Sequence, residues 1–169
     1  IAVYDLKTLQ LVYNYQLKDE NIRATYTSNS KFYCVGDDIY EIDFPKTIKT
    51  LPLTEDFEKT LEVPIVQELN NAFFVVSKFS NYYYTYKENQ LTKKKFNSSF
   101  DFIQNLAIID NSPWLCTPNG IIKYENEKAT TYFSDYNVSY IFKDKQQNYW
   151  ISTVNSGLLF IQDFKNMED

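Results

Sequence analysis

The chain has 169 residues, a formal net charge of −5, 44% apolar and 18% aromatic residues, 3 Gly, 5 Pro, 2 Cys and no His. A nucleic-acid surface needs clustered Lys and Arg to displace phosphate counterions, so this balance excludes nucleic acid as a partner. With no imidazole, Ser-His-Asp and Cys-His nucleophile systems and most catalytic zinc sites are excluded as well.

In chain order, residues 1–5 and 9–15 read as short strands, and from there one pattern repeats. It runs apolar strand, polar turn, aromatic-led strand ending in a small residue, tight turn, apolar strand, fourth strand. The copies fall at 22–26, 32–36, 39–43 and 47–51; at 65–66, 73–77, 82–86 and 91–96; at 102–110, 114–117, 120–124 and 129–133; and at 138–144, 149–153 and 157–161. Gly36, Ser77, Thr117 and Thr153 hold matching places, spaced by 41, 40 and 36 residues, and Trp114 matches Trp150. Four short strands per repeat, with no helical periodicity of comparable strength, is the signature of propeller blades. A sandwich would also use short strands but does not require the same aromatic-x-x-Thr strand to recur.

The expected fold is therefore all-β: a partial β-propeller of about four blades, each a four-stranded antiparallel sheet. Blade remnants are placed at 1–15, and blades at about 20–53, 63–96, 102–133 and 138–169. Because these strands do not close a simple ring, an open arc is expected, with the missing blades lost or the exposed edges paired with another copy as a homodimer. Trp114 and Trp150 are expected in like surroundings. With Gly scarce, turns must rely on Asn, Asp, Ser and Lys.

Lys93, Lys94 and Lys95 read as a solvated edge strand. The longest apolar run, residues 72–76, is far short of the roughly 20 needed to span a bilayer. Ile1 already stands inside a strand-like stretch with no initiator Met, which points to an N-terminus made by processing or by design. Cys34 and Cys116 lie in apolar runs without CxxC spacing and read as buried, unpaired thiols. No P-loop, G-x-G-x-x-G or EF-hand spacing occurs, and no catalytic residue, metal ligand or cofactor is assigned.

Asp144, Asn148, Tyr149, Trp150, Ile151, Ser152 and Thr153, followed by Ser156, Gly157, Leu158 and Leu159, resemble the two-component regulator propeller repeat. That pattern is approximately Asp-x-x-Gly-x-Leu-Trp-Ile-Gly-Thr, then Gly-Leu and an apolar strand; residues 110–124 match it more loosely. Asn148 is read at the place of the pattern's first Gly and Ser152 at that of the second. The resemblance implies a propeller fold and a periplasmic, ligand-sensing role in a hybrid two-component histidine kinase of Bacteroidetes type, an inner-membrane receptor answering carbohydrate-derived signals. It further implies that the chain is a fragment without enzymatic activity, reaching the membrane only through other segments of its parent.

By analogy with the fold, ligands bind at the loops entering the innermost strand and those following the second strand. Asp135, Tyr136, Asn137, Tyr140, Asn119 and Asn155 are accordingly the candidate ligand-binding residues. Their rings can stack on a small molecule such as an oligosaccharide, and their amides and carboxylate can bond it. Two other readings are a protein-interaction scaffold and a glycoside hydrolase working through two carboxylates. Asp5, Asp37, Asp38 and Asp43 read first as turn and strand-end residues, because Asp bonds its own backbone.

Overall fold

The computed structural model describes residues 1–17, 22–28, 31–36, 38–43, 47–51, 63–70, 72–88, 90–162 and 164. The blade limits expected near 20, 53 and 169, and Asp37, lie outside the described residues. Two compact units divide the chain, Ile1–Lys59 and Thr60–Asp169.

In the first unit, β1 (Ala2–Tyr4) and β2 (Leu11–Asn14) form a bulged hairpin, and β3 (Ala24–Ser28), β4 (Lys31–Val35), β5 (Ile39–Asp43) and β6 (Thr47–Leu51) form an antiparallel meander. Cys34, Tyr40 and Ile42 are its buried centre, with Ile1, Tyr15, Phe32 and Ile48 packed around them. The Asp5 carboxylate accepts the backbone N–H groups of Lys7 and Thr8 at 2.9 and 2.8 Å, so it serves the β1–β2 turn, as expected from its sequence position.

The second unit holds three meanders. They are β7 (Pro64–Leu69) to β10 (Gln90–Lys95) by way of β8 (Ala72–Ser77) and β9 (Tyr82–Lys87); β11 (Asn105–Ile109) to β14 (Lys128–Tyr132) by way of β12 (Ser112–Thr117) and β13 (Gly120–Glu125); and β15 (Val138–Lys143), β16 (Tyr149–Thr153) and β17 (Leu158–Ile161). The first strands of successive sheets, β7, β11 and β15, lie side by side, which is the blade arrangement of a propeller. Strand β10, carrying Lys93 to Lys95, is the exposed outer strand of its sheet. Residues 102–103, expected in a strand, lie instead in the loop before β11. The Ile103 N–H there bonds Lys78 O at 2.8 Å and its side chain is fully buried, so the loop plugs the core rather than extending the ladder.

Asp110 and Asn111 turn β11 into β12, and Asn126 and Glu127 turn β13 into β14, all four with positive φ. Two consecutive left-handed residues are what a type I′ hairpin needs, and its twist suits the flanking strands. These turns work without Gly.

Alternation then decides which interface each ring serves. Within β12, Leu115 points to the β7–β10 side, joining Phe74, Tyr83, Phe96 and Tyr124. Its neighbours Trp114 and Cys116 point to the β15–β17 side, joining Ile141, Tyr149 and Ile151. A strand packed on both faces cannot show apolar residues only at alternate positions, and Trp114-Leu115-Cys116 is apolar without a break. Cys34 and Cys116 are buried free thiols, and burial pushes Cys116 up to about 12.

The expectation of like surroundings for the two tryptophans is corrected here. Each occupies the second strand of its sheet, but Trp114 is 3% exposed and Trp150 36%. The face of β11–β14 that carries Trp114 is covered by β15–β17, whereas the corresponding row Phe142, Trp150 and Phe160 faces solvent with Tyr140 and Leu158. Burial of that position depends on a covering sheet, which strand register does not supply.

Candidate functional site

Antiparallel meanders put the β12–β13 and β16–β17 turns and the loops leading into β11 and β15 at one end of the second unit's sheets. The β11–β12, β13–β14 and β15–β16 turns lie at the other. At the first end the matched threonines of the repeat act alike. Thr117 Oγ1 donates to Gly120 O at 2.9 Å and accepts from Asn119 N at 3.2 Å; Thr153 Oγ1 donates to Gly157 O at 2.9 Å and accepts from Ser156 N at 2.9 Å. Loop 134–137 is tied between these turns, Gly120 N donating to Tyr136 O at 2.9 Å and Val154 N to Asn137 O at 2.8 Å. The fold thus brings Asn119, Asp135, Tyr136, Asn137 and Asn155 to one end. Asn137 Oδ1 already accepts from Gln104 Nε2. Tyr140 stands apart from that cluster, exposed on β15.

Tyr140 lines a groove of about 410 Å³ that follows β11 and β15, together with Gln67, Ile108, Asp110, Phe142 and Asp144. A second hollow of about 390 Å³ lies among Phe74, Tyr83, Asn111, Tyr124 and Glu127. Both volumes fall in the range of small-molecule sites. A third cavity, of about 180 Å³, is bounded by Asp110, Ser112, Trp114, Lys123, Glu125 and Tyr149. Asp110 borders all three. Its Oδ2 accepts from Lys143 Nζ and, at 3.5 Å, from the Tyr149 hydroxyl. The cavities therefore gather toward the end opposite the five clustered loop residues. Sequence reasoning passed over that end because Asp110 reads as the close of an apolar strand and the candidates were placed on the opposite loops. Among the described residues no group of three or more acidic or Cys side chains could hold a metal ion, and no helix is long and apolar enough to cross a membrane.

The Asp144 turn is the local feature most fully built. Asp144 Oδ1 accepts from Asn148 N at 2.9 Å, and Oδ2 from Asn148 Nδ2 at 3.0 Å and Trp150 Nε1 at 2.9 Å. The left-handed residue is Gln147, with φ 70, so the pattern's Gly corresponds to Gln147 and not to Asn148. The Trp150 indole N–H foremost, against some desolvation and with help from Asn148, holds the Asp144 carboxyl below the ordinary 3.8. A depressed carboxyl contributes stability above its unfolded value and loses it as pH falls through the folded one. In a Trp114→Phe protein, where Trp150 is the sole indole, its emission is expected to titrate with a midpoint below 3.8. A midpoint at or above the ordinary value would mean that the clasp does not hold in solution.

No protein-family model and no curated protein sequence matches the chain. Solved structures do resemble it. The extracellular domain of the hybrid two component system BT3049 from B. thetaiotaomicron aligns with a TM-score of 0.66 at 18% identity, over 93% of this chain and 24% of that one. The extracellular domain of BT4673 from the same organism aligns with a TM-score of 0.63 at 16% identity, over 95% and 24%. Virginiamycin B lyase from Staphylococcus aureus, in a catalytically inactive H270A form with quinupristin, aligns with a TM-score of 0.67 at 14% identity, over 96% and 62%. The chain thus spans about a quarter of the first two and under two thirds of the third. The shared property is the fold: this chain is built of β-propeller blades.

Proposed function

We propose that the chain is the ligand-sensing, extracytoplasmic part of a two-component regulatory receptor, located in the periplasm and responsive to carbohydrate. It acts by transmitting a rearrangement of blades or of a dimer rather than by chemistry. The observation that carries this reading is the Asp144–Trp150 clasp, in which the residues of the regulator-propeller pattern do a definite structural job in a chain whose fold is shared with two such extracellular domains. The ligand is an oligosaccharide held at the loop end by Asp135, Tyr136, Asn137, Asn119 and Asn155, with Tyr140 apart from them on the groove beside β15, and the partner in the dimer is a second copy. A lyase reading has less support, since the 169 residues contain no His to match the one whose loss inactivates the Staphylococcus aureus enzyme.

Thermal unfolding against a panel of oligosaccharides tests this. A ligand that binds only the folded form at 100 times its Kd raises apparent stability by about 2.7 kcal/mol. One saccharide is expected to raise Tm saturably, and Tyr136→Ala is expected to remove most of the rise. No rise with any saccharide, in a parent gene that encodes neither membrane helix nor kinase, would overturn the proposal.

A further inference from the structure

We infer that the outer face of the β15–β17 sheet is an interface, and that a second copy of this chain docks on it face to face about a two-fold axis. The inference gives the dimer of the proposed function its surface, and rests on that reading only for what the dimer transmits. Register sets the make-up of the face. Phe142 stands opposite Trp150 and Trp150 opposite Phe160, with Tyr140, Ser152 and Leu158 as the parallel row. The five large side chains are 36–60% exposed, and none of the six is charged.

The edge of this sheet is equally unguarded. The outer strands β6, β10 and β14 carry Lys49, Lys93 to Lys95 and Lys128, charges that keep other strands away. Strand β17, Leu158-Leu159-Phe160-Ile161, carries none, and among the described residues its ladder partner is β16. One repeat earlier the same face is an interior, since Trp114, at the place of Trp150, is covered by β15–β17. Such a face packs against a sheet, and on β15–β17 it is bare.

Size, charge and shape select a second copy as the occupant. Four rings and a leucine of about 200 Å² each, roughly half exposed, offer about 500 Å², so two faces bury about 1,000 Å², the lower bound of a specific interface. With a net charge of −5 two copies repel, and they meet at least cost where neither presents a charge. Small Ser152 leaves a dip between Tyr140 and Leu158, beside a ridge in which the Trp150 and Phe160 rings stand 4.5 Å apart. A two-fold axis sets each ridge over the other copy's dip, as a self-complementary contact requires. Ser152 Oγ is bonded to Ser139 Oγ at 2.8 Å, and Trp150 Nε1 donates to Asp144, so covering the face strands neither group.

An interface of that size belongs with weak, transient pairs, for which a Kd of about 10 µM is expected. Sedimentation of the chain from about 0.5 to about 200 µM brackets that value and should show monomer passing to dimer. At the lower end Phe160 is bare, the state that urea unfolding of dilute protein reads. In a Trp114→Phe protein, Trp150 emission should move to the blue over the same range. Phe160→Glu puts a carboxylate into the apolar contact and should weaken the dimer at least about tenfold, and Leu158→Lys should do the same. Leu6→Glu, at a 91% exposed leucine of the first unit, should leave it intact.

A chain that stays monomeric to the top of that range, or a dimer that survives both β17 substitutions, overturns the inference. So does an oligosaccharide that shifts Trp150 emission in the monomer, which would make the face a sugar platform. A monomeric parent chain in which Trp150 is shielded would give the face to another segment and overturn it too. Saccharide stabilisation of a chain that never dimerises would sink this interface and leave the ligand reading standing, and a dimer that no saccharide stabilises would do the reverse.

Discussion

Gly120→Ala is expected to lower the stability of the second unit by at least about 3 kcal/mol, while Gly157→Ala, at the matching turn of the next repeat, costs only about 1–2 kcal/mol. Both glycines have positive φ, 98° and 76°. The difference lies in what a Cβ would meet. At Gly120 it would stand 2.3 Å from Tyr132 O and 2.9 Å from the Phe133 carbonyl, which are backbone atoms that cannot swing aside. At Gly157 nothing lies within 4 Å, and only the left-handed conformation itself is penalised. Thermal unfolding followed by Trp114 emission reads the pair, with the larger loss expected to exceed about 6 °C in Tm. Equal losses would mean that the β13–β14 meander gives way around the added methyl group.

Truncating Phe96 should be the most damaging change in the aromatic core. Phe96 is 2% exposed and its ring meets Phe74, Tyr83, Phe100 and Tyr124 at centroid distances of 6.4, 4.8, 5.6 and 5.2 Å. It follows directly on β10 and seals the space between the β7–β10 and β11–β14 sheets. Phe96→Ala removes its transfer energy and leaves a cavity, a loss of about 3–5 kcal/mol. Phe160→Ala removes the same atoms from a ring that is 46% exposed and touches Trp150 at 4.5 Å. That change should cost less than about 1 kcal/mol. Urea unfolding of the two variants gives the comparison, and similar losses would show that Phe160 is covered in solution.

The candidate site was only partly legible. The loop residues Asn119, Asp135, Tyr136, Asn137 and Asn155 could be named because a repeat fixes which turns share an end. Their gathering follows from backbone bonds between loop 134–137 and two turns, which are contacts between separate repeats. The cavity beside Trp114 had no sequence signal. Ser112, Glu125 and Tyr149 come together there only because β11, β12, β13 and β16 are stacked. The misplaced Gly equivalent differs, for counting three residues on from Asp144 in the pattern already reaches Gln147, and its left-handed conformation agrees.

The sequence by itself determined the strands outside residues 102–103 and which polar segments turn, because both rest on local alternation and on Asn, Asp, Ser and Lys, whose preferences act over a few positions. Tertiary structure alone decided which identical-looking residues are core and which are surface. Trp114 and Trp150 share motif, strand and register, yet burial is a property of the space between sheets, and only the first has a sheet packed over it.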